Sequence, residues 1–223
     1  MAHAAESPAS IGNYQTNTLE GWRLVINQQL TNDTPVLPHA LDLLRDQLRE
    51  IVRLVPAPAV EKLRQVTLWF SPEYPGVGPQ AEYHPGAGWL RDNGRNEAMV
   101  KGIEFTNVRI FERETQRMPV FVLHELAHAY HDRFLTNGFE NAELKAAFKR
   151  AKASGTYDHV ERWNGPGRPK TNERSYAMTN PMEYFAESTE AYFSRNDFFP
   201  FTREDLEKHD PEMARLVAKL WGY

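Results

Sequence analysis

A chain of 223 residues with 41% hydrophobic and 25% charged side chains is long enough to bury one core without covalent staples. Its 12% aromatic content excludes a disordered polar chain, and a formal charge of −4 speaks against a nucleic-acid or anionic-membrane partner, both of which want a basic face. No cysteine is present beside eight histidines, so disulfides, thiolate zinc sites and cysteine nucleophiles are excluded and metal chemistry falls to imidazole and carboxylate.

Residues 1–18 read as a flexible polar tail and 19–223 as a single domain without an internal linker. In the tail, Ala2-His3-Ala4 resembles the end of a secretory signal and hints at a secreted or periplasmic location, although no charged and apolar signal regions precede it. No apolar stretch approaches the roughly 18 residues of a membrane span.

Along the domain, Trp22, Leu24 and Ile26 alternate with polar residues, which predicts a strand. Leu37, Leu41, Leu44, Leu48, Ile51 and Val55 recur at helical steps up to Pro56. A short helix near 58–64 precedes a β-rich run over Val66–Phe70. The Gly- and Pro-dense stretch 71–97 reads as loop with one short strand at Ala81–Tyr83. Ile103, Phe105, Val108 and Ile110 suggest a further strand, of which 102–106 is either a cleft edge or an interior strand. Helices follow at 119–135, before Asn137-Gly138, and at 141–153, before Gly155. Residues 157–171 form a hairpin-like excursion, either a lid or a plain surface feature. Asn180-Pro181 opens a helix to about 195, and Thr202 and Asp210-Pro211 open two closing helices. This order of elements is an α+β fold, with mixed strands and helices first and a mostly helical C-terminal part.

The chemistry sits in His124-Glu125-Leu126-Ala127-His128. Residues four apart on a helix share a face, so both imidazoles can fill positions around one Zn²⁺, with Glu125 beside them to take a proton from the attacking water. An accidental H-E-x-x-H is expected only about 0.03 times in such a composition, and the apolar flanks Val122, Leu123, Leu126 and Ala127 make a solvated face a poor explanation. A third ligand is needed, and the best source is Glu183-Tyr184-Phe185-Ala186-Glu187. Glu183, Glu187 and Glu190 share one face of a helix that otherwise reads as packed inward.

The pair His124-Glu125-x-x-His128 and Glu183-x-x-x-Glu187 resembles the glutamate-zincin metallopeptidases, more narrowly the anthrax lethal factor family. The resemblance covers about 119–193 and leaves the first hundred residues without a family motif. It implies a zincin-like fold and one Zn²⁺ per chain held by His124, His128 and Glu183. It further implies Glu125 as general base and acid, and Glu187 as the carboxylate that orients a ligand histidine from outside. Tyr176, seven residues before Glu183, falls where the family places an oxyanion-stabilising hydroxyl. Glu190 competes with Glu187 for the orienting role, and Glu187 as ligand in place of Glu183 is a further alternative.

The function these residues imply is zinc-dependent hydrolysis of peptide bonds in a peptide or protein substrate, with no nucleic-acid partner and no membrane span. Two alternatives stay open: a zinc-bearing binding module that no longer cuts, and a zinc hydrolase of non-peptide amides. Among the other candidates, His131 reads as a helix-surface histidine, His84 and His159 as turn or surface residues, and Asp132 as a partner of Arg133 or another nearby base.

Overall fold

The described residues open on a hairpin. A computed structural model describes residues 13–31 and 35–223, so the Ala-x-Ala stretch lies outside the described residues. Strands β1 (Tyr14–Leu19) and β2 (Trp22–Asn27) pair antiparallel from Tyr14↔Asn27 to Leu19↔Trp22, across a turn in which Glu20 and Gly21 both have positive φ. Residues 14–18, expected in the tail, therefore belong to the sheet. Most β1 side chains are exposed, so the strand lacks the alternating apolar signal that reveals strands in sequence.

After α1 (Gln28–Thr31) come α2 (Val36–Leu54), α3 (Ala57–Leu63), β3 (Leu68–Phe70), β4 (Ala81–Tyr83), α4 (Ala87–Asp92) and β5 (Ile103–Phe105). Then follow α5 (Phe111–Arg117), α6 (Phe121–Phe134), α7 (Ala142–Ser154), β6 (Val160–Arg162) and β7 (Thr171–Glu173). The chain closes on α8 (Pro181–Phe193), α9 (Arg203–His209) and α10 (Pro211–Trp221). The fold is mixed α+β. Its main sheet has the order β1-β2-β3-β5-β4, with β2, β3 and β5 parallel and the two edge strands β1 and β4 antiparallel to their neighbours. β6 and β7 form a separate hairpin.

One face of the sheet, carrying Trp22, Leu24, Ile26, Leu68, Phe70, Ile103 and Phe105, joins the main core with the buried faces of α2, α6 and α8. The other face carries Val25 and Trp69, covered by Leu90 of α4 and by Met99. Ala87–Asp92 lies in the stretch 71–97 expected as loop; the Gly and Pro content of that stretch hides a short helix whose apolar contact is supplied by the sheet it covers. Residues 108–110 differ too. They form a 3₁₀ turn that leaves the sheet and enters α5, so the strand ends at Phe105.

Three helix ends position the site. α6 begins at Phe121, two residues later than Pro119 suggested, and Val120 offers no side-chain cap. Instead the Val122 N–H donates to Oε1 of Gln47, a buried α2 residue whose amide donates in turn to Thr115 Oγ1 at 2.9 Å. After α6, Asn137 and Gly138 turn at φ 62° and 53°, and a Cβ at Gly138 would meet the Asp132 carbonyl at 2.7 Å. α8 starts as its sequence states: Asn180 Oδ1 accepts from the Glu183 N–H at 2.9 Å, with Pro181 at the first helical position. No helix among the described residues is long and apolar enough to cross a membrane.

Candidate metal centre and cleft

α6 packs against α8, and this brings His124 and His128 to Glu183. Glu183 Oε2 lies 3.1 Å from His124 Nε2 and 3.3 Å from His128 Nε2. The edge of a tetrahedron around an ion with bonds of about 2.0–2.1 Å is about 3.3–3.4 Å long, so the spacing suits three ligands of one small divalent ion. The proton arrangement agrees. His124 Nδ1 lies 2.8 Å from Glu190 Oε2, and in the neutral tautomer that donates there Nε2 presents a lone pair towards the Glu183 carboxylate. Two lone pairs at that separation need a proton or a cation between them. Burial alone would lower the His124 pKa, but Glu190 and Glu183 lift it well above the ordinary imidazole value, while the two histidines hold Glu183 below the usual carboxylate range despite its burial.

Of the two carboxylates that the sequence set against His124 Nδ1, Glu187 and its competitor Glu190, it is Glu190 that lies within hydrogen-bond distance. Glu187 Oε1 is 3.9 Å from His124 Nδ1, beyond a hydrogen bond, and its Oε2 instead accepts from Asn196 Nδ2 at 2.9 Å. Burial, then the neighbouring Asp197, pushes the Glu187 carboxyl well up. A shared helix face therefore did not separate the two: Glu190 lies one turn further along, where α8 faces His124 from behind. Asp197 itself is buried and accepts from both Arg117 and Arg162. Neither Asn196 nor Asp197 carries a pattern that marks it in sequence.

The cleft edge is β4 and not β5. β5 lies between β3 and β4 as an interior strand. The His84 N–H donates to the Gly102 carbonyl and the Thr106 N–H to the Gln80 carbonyl, so the even-numbered positions of this stretch pair with β5. The alternate residues Ala81 and Tyr83 turn their backbone groups towards the cleft. The Tyr83 N–H uses this position to donate to Glu125 Oε2 at 3.0 Å. Burial pushes the Glu125 carboxyl up to about 7, against the pull of both histidines. Tyr176 also lines this cavity of about 530 Å³, with 48% of its surface exposed, and burial followed by the Glu183 charge raises its phenol, which stays protonated at neutral pH. The cleft thus gathers His124, Glu125, His128, Tyr176, Glu183 and Glu187 in its lining. β6 borders it through Arg162.

Two lesser expectations change, those for His131 and His84. His131 is not on the helix surface: it is fully buried between Phe139 and Phe185, and neither ring nitrogen has a hydrogen-bond partner among the described residues. Burial lowers its pKa to about 4. Below the unfolded value of about 6.5 the unfolded chain binds a proton that the fold refuses, so stability present above that value is lost as pH falls towards about 4. His131→Phe is expected to remove roughly 2 kcal/mol of the stability loss between pH 7 and pH 5, measured by urea unfolding at both values. His84 is likewise buried, 3.0 Å from Glu104. Glu82, His84 and Glu104 could group around an ion, but the Arg95 guanidinium already lies 2.7 Å from Glu104 and 3.6 Å from Glu82 and supplies the positive charge. Asp132 pairs with Lys101 and accepts from the Tyr83 hydroxyl at 2.6 Å, while His159 is exposed.

Compared with family models, curated proteins and solved structures, the chain finds no match in any of the three.

Proposed function

We propose that the protein is a zinc-dependent peptidase of zincin-like fold, with His124, His128 and Glu183 as the metal ligands. The observation that carries this reading is the convergence of the two imidazole Nε2 atoms on one Glu183 oxygen, at 3.1 and 3.3 Å, with Glu125 in the same cleft. A Zn²⁺ bound there supplies Lewis acidity, acidifying a water and polarising a carbonyl. Glu125 takes the proton of the attacking water and delivers it to the leaving amine. Its Oε2 is held by the Tyr83 N–H, which leaves Oε1 for the proton. The Tyr176 hydroxyl donates to the oxyanion that develops on the scissile carbonyl. Glu190 holds His124 in the tautomer that turns Nε2 to the ligand set.

The outward-facing backbone of β4 favours a peptide over a non-peptide amide, because an extended chain can add to that edge as a further strand. Presence of both Glu125 and Tyr176 at the ligands favours a working enzyme over a binding module. Metal analysis of protein prepared without chelators, joined to cleavage of a diverse peptide library, tests the reading. Absence of stoichiometric zinc and of any cleavage would overturn it.

The two carboxylates behind the site separate by mutation. Glu190→Gln is expected to weaken zinc binding about 10–100-fold, since the amide no longer favours a His124 Nδ1–H donor as a carboxylate does. Glu187→Gln, whose contact is the Asn196 amide, is expected to change zinc affinity far less. Competition titration against a zinc chelator measures both. Equal losses would return Glu187 to the orienting role.

A further inference from the structure

Next to the cleft lies a second cavity of about 520 Å³, walled by Arg113, Arg117, Arg162 and Arg168 against a single lining carboxylate, Glu114. It shares Glu114, Arg117 and Arg162 with the cleft that holds the ligand set, so the two spaces adjoin at those side chains. This concentration of positive charge stands on a chain of formal charge −4.

The wall is built rather than incidental. Buried Asp197 accepts from both Arg117 and Arg162 and ties α5 to the β6–β7 hairpin. Arg113 stands one turn before Arg117 on α5, and its nearest carboxylate, Glu114, is 3.6 Å away. Arg168 is exposed on the hairpin turn, and no ion pair engages it among the described residues. That turn is fastened by Asn164 Nδ2, which donates to the Pro169 carbonyl at 2.9 Å and to Thr171 Oγ1 at 3.1 Å. Arg168 therefore offers a guanidinium without an acid beside it among the described residues, and Arg113 one that shares the single carboxylate of Glu114 with Arg117, which lies 2.8 Å from it.

The direction of a bound chain follows from β4. Its beginning lies beside Thr106, where the chain leaves the sheet for α5, and its end reaches Asp132 near the end of α6 through the Tyr83 hydroxyl. A substrate pairing antiparallel to β4 thus runs its C-terminal half towards α5 and the arginines.

Resting on the peptidase reading, we propose that this arginine-walled cavity is a substrate subsite for a carboxylate, carried on the C-terminal side of the scissile bond either by an acidic side chain or by the chain terminus. Guanidinium forks match carboxylates in geometry and charge, and such contacts act on capture as well as affinity.

The test uses zinc-loaded full chain and matched fluorogenic peptides of an otherwise neutral sequence. They carry Glu or Gln after the scissile bond, or Glu or Gln before it, and end in a free or an amidated C-terminus. Glu after the bond is expected to raise kcat/KM about tenfold over Gln, an advantage that high salt erodes. The free-against-amidated pair tells a terminal carboxylate from a side chain. Arg113→Glu with Arg168→Glu, two exposed positions away from the ligands, is expected to abolish the preference while neutral peptides turn over as before. A wild-type ratio near one for both carboxylate sources, a preference unchanged in the double variant, or a preference only for Glu before the bond would overturn the subsite. Cleavage of neutral peptides bears on the peptidase reading alone. Were nothing cut, fluorescence anisotropy of the labelled Glu and Gln peptides on the Glu125→Gln protein, with and without the two arginine changes, still decides the subsite. Tighter binding of the Glu peptide that the changes remove supports it, and equal binding overturns it.

Discussion

Glu125→Gln is expected to lower kcat about 10²–10⁴-fold while zinc content stays at one per chain. The amide keeps the size and shape of the carboxylate, and its oxygen still accepts from the Tyr83 N–H that Glu125 holds at 3.0 Å, so β4 keeps its place beside α6. What is lost is the proton acceptor. Single-turnover cleavage with zinc measured on the same sample separates the loss from demetallation, and full activity in this variant would sink the mechanism. The acid limb of kcat/KM carries a related expectation. Burial lifts Glu125 to about 7, and a cation at the ligand set pulls it down, so the limb is expected at or below about 7 and should be absent from the residual rate of the Gln variant.

Tyr176→Phe is expected to cost about 10²–10³ in kcat with KM nearly unchanged. Among the described residues the Tyr176 hydroxyl makes no hydrogen bond, while its ring lines the same cavity as Glu125 and Glu183. A free hydroxyl that stays protonated at neutral pH is available to an oxyanion that exists only as the reaction proceeds. Because the ring is half-exposed and loses only its hydroxyl, unfolding free energy is expected to move by no more than about 0.5 kcal/mol. A drop in kcat matched by an equal drop in stability would mark Tyr176 as a packing residue instead.

Where local rules suffice, the elements were legible from the residues alone. The 3.6-residue apolar period of α2, the Asn180-Pro181 start of α8, the Gly155 stop of α7 and the Thr202 start of α9 are written in neighbouring residues, and the structure carries them at those positions. The short strand Ala81–Tyr83 was also legible. Misreadings fell where a distant partner decides. β1 is mostly exposed and exists by pairing with β2, and α4 exists by covering Val25 and Trp69. α6 starts where the Gln47 side chain, 75 residues away, meets the Val122 N–H. His131 and His84 looked exposed because a lone histidine carries no sign of what packs on it.

At the site the division is the same. Sequence by itself determined the chemistry available: with no cysteine, two imidazoles four residues apart on a helix, a glutamate between them and a second helix with three carboxylates. Spacing within one helix is fixed by helical geometry, so those side chains share a face wherever the helix goes. Only the tertiary structure decided which carboxylate meets which nitrogen. The packing of α8 on α6 sets Glu183 at the Nε2 atoms and Glu190, not Glu187, at His124 Nδ1, and brings the edge of β4 to Glu125. It also gathered four arginines, from α5 and the β6–β7 hairpin, into one wall of a chain whose summed charge is negative. A net charge adds signs without positions, and contacts between helices depend on rotation and distance that no local pattern encodes.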